Sequence, residues 1–285
     1  MMRKSVWTLI LAVSVLAPAA SALAADAAAP TVDEVIAKNI EARGGLDKLK
    51  AVQTMRMTGN MTMGPGIEAP LTLEFKRPAS MRIEFTLQGM TGINAYDGKT
   101  GWQIIPFGGK TDPEPMTAED LKEAEEQSDM DGPLVDYKAK GHKVELVGKE
   151  KVEGSDAWKL KITLKTGDVR YLYLDADTFL DIKGESKRSV RGSETEVEST
   201  YGDYKEVGGL LLPHSIQAGA KGSDQKQNII IDKIEINPAI ETARFKMPAA
   251  AAPKAPAAAA APAAGAKPAA PPAAPKADPA KPPQG

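Results

Sequence analysis

Two histidines, His142 and His214, come first, because imidazole is the commonest general base and metal ligand near neutral pH. They lie far apart in the chain, and neither has a second histidine at metal-ligand spacing. There is no cysteine, which removes thiolate nucleophiles, thiolate metal sites and disulfides together. A Gly-x-Ser-x-Gly elbow, a phosphate-binding glycine loop and a dinucleotide fingerprint are all missing. Carboxylates are plentiful, above all Glu123, Glu125, Glu126, Asp129 and Asp131. They form one run, and a charge run is ordinarily a solvated face. Their spacing is not that of an EF-hand loop. No catalytic residue, metal site or cofactor is assigned, and the chain is not expected to be an enzyme.

What the chain does concentrate is soft apolar side chains. In "TMRMTGNMTM", Met55, Met57, Met61 and Met63 alternate with Thr54, Arg56, Thr58, Asn60 and Thr62. Methionine is flexible and polarizable and suits surfaces that accept variable apolar partners. A well-specified strand core prefers branched and aromatic residues. Two readings stay open: an adaptable wall for acyl chains, or ordinary packing against helices.

The elements that position these residues follow from periodicity. Thr31 and Glu34 form a capping box before Val32, Val35, Ile36 and Ile40, so a helix opens the body and ends at Gly44-Gly45. A short helical turn with Leu46, Leu49 and Val52 follows. The period then becomes two. Leu71, Leu73 and Phe75 continue one apolar face, as do Met81, Ile83, Phe85 and Leu87. Trp158, Leu160, Ile162 and Leu164 oppose Lys159, Lys161, Thr163 and Lys165. Further strands are expected near 92–97, 100–105, 143–153, 168–175, 178–190, 194–204, 210–219 and 226–236. One-sided alternation over so many strands predicts an antiparallel sheet with one dry face. A sheet of about ten strands curls, and its concave face needs a cover. The N-terminal helices and the acidic segment 117–131 are the candidates.

The two ends are different in kind. Arg3 and Lys4, the apolar run from Val6 and the small residues of Ser21-Ala22-Leu23-Ala24 read as a signal peptide, residues 1–24. Residues 249–285 are almost entirely Ala, Pro and Lys and are expected to be a disordered tail, since they bury nothing against the ordering entropy. Taking +2 for the first segment and +3 for the second from the chain's −2 leaves −7 for residues 25–248. An acidic body argues against nucleic-acid binding. The mature protein is expected to be exported to the periplasm, monomeric and not integral to a membrane.

"LTLEFKRPASMRIEF" at 71–85, "YDGKTGWQIIP" at 96–106, "ETARFKMP" at 241–248 and "GGLDKLKAVQTMRMTG" at 44–59 together carry a resemblance. Their order and spacing resemble the periplasmic outer-membrane lipoprotein carrier and lipoprotein-sorting family. The resemblance implies an incomplete, half-open antiparallel β-barrel covered by helices, occupying residues 25–248. It implies a hydrophobic cavity for the acyl chains of a lipoprotein or lipid cargo, a chaperone role in outer-membrane biogenesis, and handover proteins at the inner and outer membranes. It assigns Arg77 as the latch holding the helical lid through backbone carbonyls. Without the resemblance, Arg77 is equally a solvent-facing hairpin residue. The expected cavity set is Met55, Met57, Met61, Met63, Leu71, Leu73, Phe75, Met81, Ile83, Phe85, Trp102, Trp158, Leu160 and Ile162. The competing expectation is a non-transporting envelope sensor or scaffold that docks a partner protein with the same fold.

Overall fold

The computed structural model describes residues 29–62, 66–106, 111–190 and 193–248. The predicted signal segment, the tail 249–285 and Met63 lie outside the described residues. The body opens with α1 (Val32–Ala42), where Thr31 and Glu34 exchange the two bonds of the capping box, at 3.2 and 2.7 Å. Val35 and Ile36 are its buried face. At Gly44, where φ is 118°, the chain turns into α2 (Leu46–Ala51). A Cβ there would lie 2.4 Å from the carbonyl oxygen of Gly209, so only glycine fits.

Strands β1 (Thr54–Thr62), β2 (Glu68–Lys76), β3 (Ser80–Leu87), β4 (Met90–Tyr96), β5 (Gly101–Ile104) and β6 (Glu114–Pro115) then run outward as a meander. Next comes α3 (Ala118–Gln127), capped by Thr117, whose hydroxyl accepts from the Asp120 amide at 3.1 Å. The chain crosses to the far edge at β7 (Lys143–Val152). It returns through β8 (Ser155–Thr163), β9 (Val169–Asp175), β10 (Asp181–Val190), β11 (Ser193–Val207), β12 (Leu210–Ala220) and β13 (Gln227–Ile236). There β13 pairs with β1. All 13 strands form one antiparallel sheet, not closed, with β6 and β7 at its edges. The architecture is the predicted half-open barrel with helices across it, with more strands than expected.

The pairing fixes which residues share a face. Phe75 lies between Met55 and Met81, Leu73 between Met57 and Ile83, and Leu71 between Gly59 and Phe85. These rungs form the concave face. The opposite face carries the row Arg56, Glu74, Arg82, Ala95 and Trp102. A bulge at Thr58/Gly59 bends β1 against β13, and a Cβ on Gly59 would lie 1.9 Å from the Ile230 carbonyl oxygen.

The concave face is packed in four clusters. Leu160 and Ile162, with Trp158 at their margin, lie with Val35 and Ile36 of α1. Met55 lies under α2 with Leu49, Val52 and Val135. Met61 and Leu71 form a third group with Ile83 and Phe85 beside them. Met81 and Tyr96 form a fourth with Ala124 of α3. The concave-face residues thus fall into separate clusters, three of which include residues of α1, α2 or α3.

Trp102 corrects the expectation. It lies on the convex face, 2% exposed, and its indole Nε1 donates to the Phe245 carbonyl at 2.9 Å. The chain after β13 folds back over this face through a 3-10 turn, Thr242–Phe245, and buries Phe245 completely. Arg82 stacks over the indole at 5.5 Å. Buried Glu74 accepts from Arg56 at 2.9 Å and from Arg244 at 2.6 Å. Apolar type alone placed Trp102 inside, but strand parity and this returning segment put it outside.

Candidate functional site

The site is the cover over the concave face and the polar contacts that hold it. Arg77 sits in the β2–β3 turn, two residues beyond Phe75. Its Nε donates to the Val52 carbonyl at 2.6 Å and its Nη2 to the Leu49 carbonyl at 3.0 Å. Both carbonyls lie at the C-terminal end of α2, where Leu49 also accepts from the Val52 amide at 3.3 Å, and a five-donor guanidinium is suited to cap them. The same guanidinium grips Asp131 with two bonds, Nη2 to Oδ1 at 2.5 Å and Nη1 to Oδ2 at 2.9 Å. Lys50 of α2 adds a third cationic bond to Asp131 Oδ2 at 2.8 Å and reaches Asp136 at 2.7 Å. Arg43 donates to the Asp131 backbone carbonyl at 3.2 Å.

Asp131 is buried. Burial alone would raise its pKa, but the hydrogen bonds and charges of Arg77 and Lys50 outweigh it and hold the carboxyl at about 2. The Asp131 hydrogen bonds likewise push Arg77 above the ordinary guanidinium value. Both groups are therefore charged at neutral pH. Asp131 joins three pieces: α2, the β2–β3 corner and the segment that follows α3.

α3 itself is held lightly. Of its 10 residues only Ala124 is buried. Leu121 packs at the edge of the cluster around Met81 and Tyr96. Burying two such side chains contributes only about 2–3 kcal/mol. On its other side α3 reaches the β8–β9 turn through ion pairs: Glu125 with Lys165 at 2.9 Å, Lys122 with Asp168 at 2.5 Å, and Glu126 with Arg170. The first two are exposed pairs, which contribute about 0–1 kcal/mol each, whereas Glu126–Arg170 is part-buried. Lys165 is further placed by its backbone amide, which donates to His142 Nδ1 at 3.1 Å. Burial, then the Lys140 charge, lowers the His142 pKa, so its ring is neutral near pH 7. His214 is buried with Nδ1 3.0 Å from the Leu212 carbonyl, a structural placement.

Under this cover the middle of the apolar face is only half buried, at Met57, Leu73, Ile83 and Phe85. The run from Ala69 to Phe75 along β2 is roughly 20 Å long. Between α3 and strands β8–β11 a cleft of about 740 Å³ opens, with charged residues in its walls: Glu119, Glu123 and Glu126 on α3, Lys161, Glu185 and Lys187 opposite.

No family model matches the sequence, and no curated protein does. Solved structures do match. A LolA superfamily protein from Nitrosomonas europaea superposes with TM-score 0.50 and 13% identity, over 76% of this chain and 98% of that one. A DUF1329 family protein from Desulfovibrio piger gives 0.53 and 12%, over 76% and 98%. A putative outer membrane lipoprotein-sorting protein domain from Vibrio parahaemolyticus gives 0.49 and 12%, over 74% and 94%. The fold is LolA-like. At these identities the likeness is one of architecture, and site residues rest on this chain's own geometry.

Arg77 lies at the β2–β3 corner against the backbone carbonyls of Val52 and Leu49. Its principal partner, Asp131, was read as one of a solvated run. The available signal was its position just before Gly132-Pro133, where the helical pattern has ended and a carboxylate no longer belongs to the wet helix face. Among the described residues no cluster of histidines and carboxylates suits a metal ion, and no helix is long and apolar enough to cross a membrane.

Proposed function

We propose that this protein is a periplasmic carrier or chaperone that shields an acyl chain, as a free lipid or on a lipoprotein, against the concave face of its half-barrel. The observation that carries the reading is the mismatch between face and cover. The face is apolar along β1–β3, and its central residues are incompletely buried. The α3 part of the cover bears a single buried residue, Ala124, and the segment after it is tied down by polar bonds at Asp131. Such a cover can leave without unfolding the sheet, and an acyl chain offers the apolar surface that replaces it. Each CH₂ covered contributes roughly 0.8 kcal/mol, so a long chain outweighs the loss of the ties. The work is burial, with no bond made or broken.

Cargo comes from a delivering protein and leaves to a receiving one, as the carrier resemblance implies. The test is titration with a fluorescent long-chain fatty-acyl probe. Saturable one-to-one binding with a blue-shifted, quencher-protected fluorophore is expected. Absence of saturable binding, with a partner protein retained instead on the intact surface, supports the docking scaffold.

A further inference from the structure

The arrangement around Asp131 goes further than closing the cover. Two side-chain cations, Arg77 and Lys50, converge on one buried carboxylate. The guanidinium contact is two-pronged, the geometry that also suits the oxygens of a phosphate or another carboxylate. Arg77 belongs to the β2–β3 corner, and Lys50 to α2, whose Leu49 packs into the sheet's cluster with Met55, Leu210 and Leu212. Asp131 belongs to the segment that follows α3. Between Asp131 and the anchored residues Leu134 and Val135 stand Gly132, with φ of 78°, and Pro133. A swing of α3 about Gly132 would withdraw Asp131 and leave the buried Leu134 and Val135 seated.

Once Asp131 has left, a guanidinium and an ammonium remain at the rim without their shared counterion. Asp136 still faces Lys50, and Asp129, paired with Lys140 at 2.5 Å, belongs to the moving side. The rim position adjoins Phe75 and Met55, the first rung of the apolar face. An amphiphile with an anionic head two or three bonds from its chain would satisfy both parts at once.

Resting on the carrier reading, we propose that Arg77 and Lys50 form the seat for an anionic headgroup, phosphate or carboxylate, and that Asp131 occupies this seat from within the chain until cargo arrives. Loading and opening are then coupled, because the head binds only the state that Asp131 has vacated. An anionic head favours the open state, while a neutral one must leave the two cations unpaired.

The experiment compares a fluorescent long-chain fatty acid with its neutral alcohol analogue, and inorganic phosphate alone, on wild type, Asp131→Asn and Lys50→Gln. The fatty acid is expected to bind more tightly than the alcohol. Asp131→Asn should widen that preference by about tenfold, equivalent to about 1.4 kcal/mol. Lys50→Gln, at a partly exposed side chain, should narrow it, with its circular dichroism spectrum checked against wild type. Equal gains for both probes in Asp131→Asn, or an unchanged preference in Lys50→Gln, would overturn the seat while leaving the carrier reading standing. Inorganic phosphate that stabilises Asp131→Asn as strongly as the fatty acid does would overturn the headgroup as its source. Failure of both probes to bind any variant removes the carrier reading itself.

Discussion

Replacing Arg77 by leucine removes four hydrogen bonds at one stroke: two to Asp131 and one each to the carbonyls of Leu49 and Val52. Lys50 keeps its bond to Asp131, so the buried carboxylate retains one cation. Removing one partner of a buried pair costs about 3–5 kcal/mol, and the partial exposure of Arg77 argues for the lower end. A loss of about 3 kcal/mol from the closed form raises the open fraction roughly a hundredfold. The loss falls on the cover and on the end of α2, so its readout is local. Hydrogen exchange followed by mass spectrometry should show faster exchange in peptides spanning 46–53 and 118–133. Peptides from β9–β11 should keep their protection. Lys76→Leu is the charge control, since Lys76 bonds the Ile240 carbonyl and Thr242 on the other side of the corner. Uniformly faster exchange across the sheet would make Arg77 a general stabiliser of the fold. Unchanged exchange in the cover would refute the tie altogether.

Three further outcomes follow from the same geometry. Asp131 titrates near 2 instead of its ordinary 3.8, worth about 2 kcal/mol that is complete above pH of about 4 and lost as pH falls through about 2; urea unfolding should show the stability gap between wild type and Asp131→Asn shrinking by that amount from pH 7 to pH 2, and a constant gap would contradict it. Phe245→Ala should cost about 3–5 kcal/mol and red-shift tryptophan emission as Trp102 loses its cover, whereas an unshifted spectrum would mean the returning segment is dispensable. Ile83→Asp, on the concave face, should destabilise by several kcal/mol, while Thr58→Asp, flanked by Thr72 and Lys233 on the convex face, should stay within about 1 kcal/mol; equal effects would overturn the register.

The sheet was legible because its strands alternate cleanly. Met57, Leu73 and Ile83 fall on one face by parity, and pairing sets them side by side. The capping box at Thr31 marked α1 for the same local reason. What the sequence withheld was everything decided by non-local return of the chain. Trp102 is as apolar as its neighbours, but Phe245, brought back from far along the chain, covers the opposite face. Asp131 looks like one more surface acid until α2 and the β2–β3 corner bring Lys50 and Arg77 to it. Charge patterning reads a solvated run because it cannot see cations contributed by other elements. A contact of Arg77 with helix carbonyls was expected only through resemblance, since Lys-Arg-Pro alone is equally an ordinary hairpin corner.

The central claim is that an acyl chain lies along the concave face of β1–β3 beneath the displaced cover. The most direct measurement is photo-crosslinking with a long-chain fatty acid carrying a diazirine near its methyl end, followed by mass spectrometry of the adducts. Adducts are predicted on concave-face residues of the middle and far rungs, Met57, Leu73, Ile83 and Phe85, and they should be lost when excess unlabelled fatty acid competes. Adducts confined to the β7 edge or to the convex face around Arg56 and Arg82 would contradict the account.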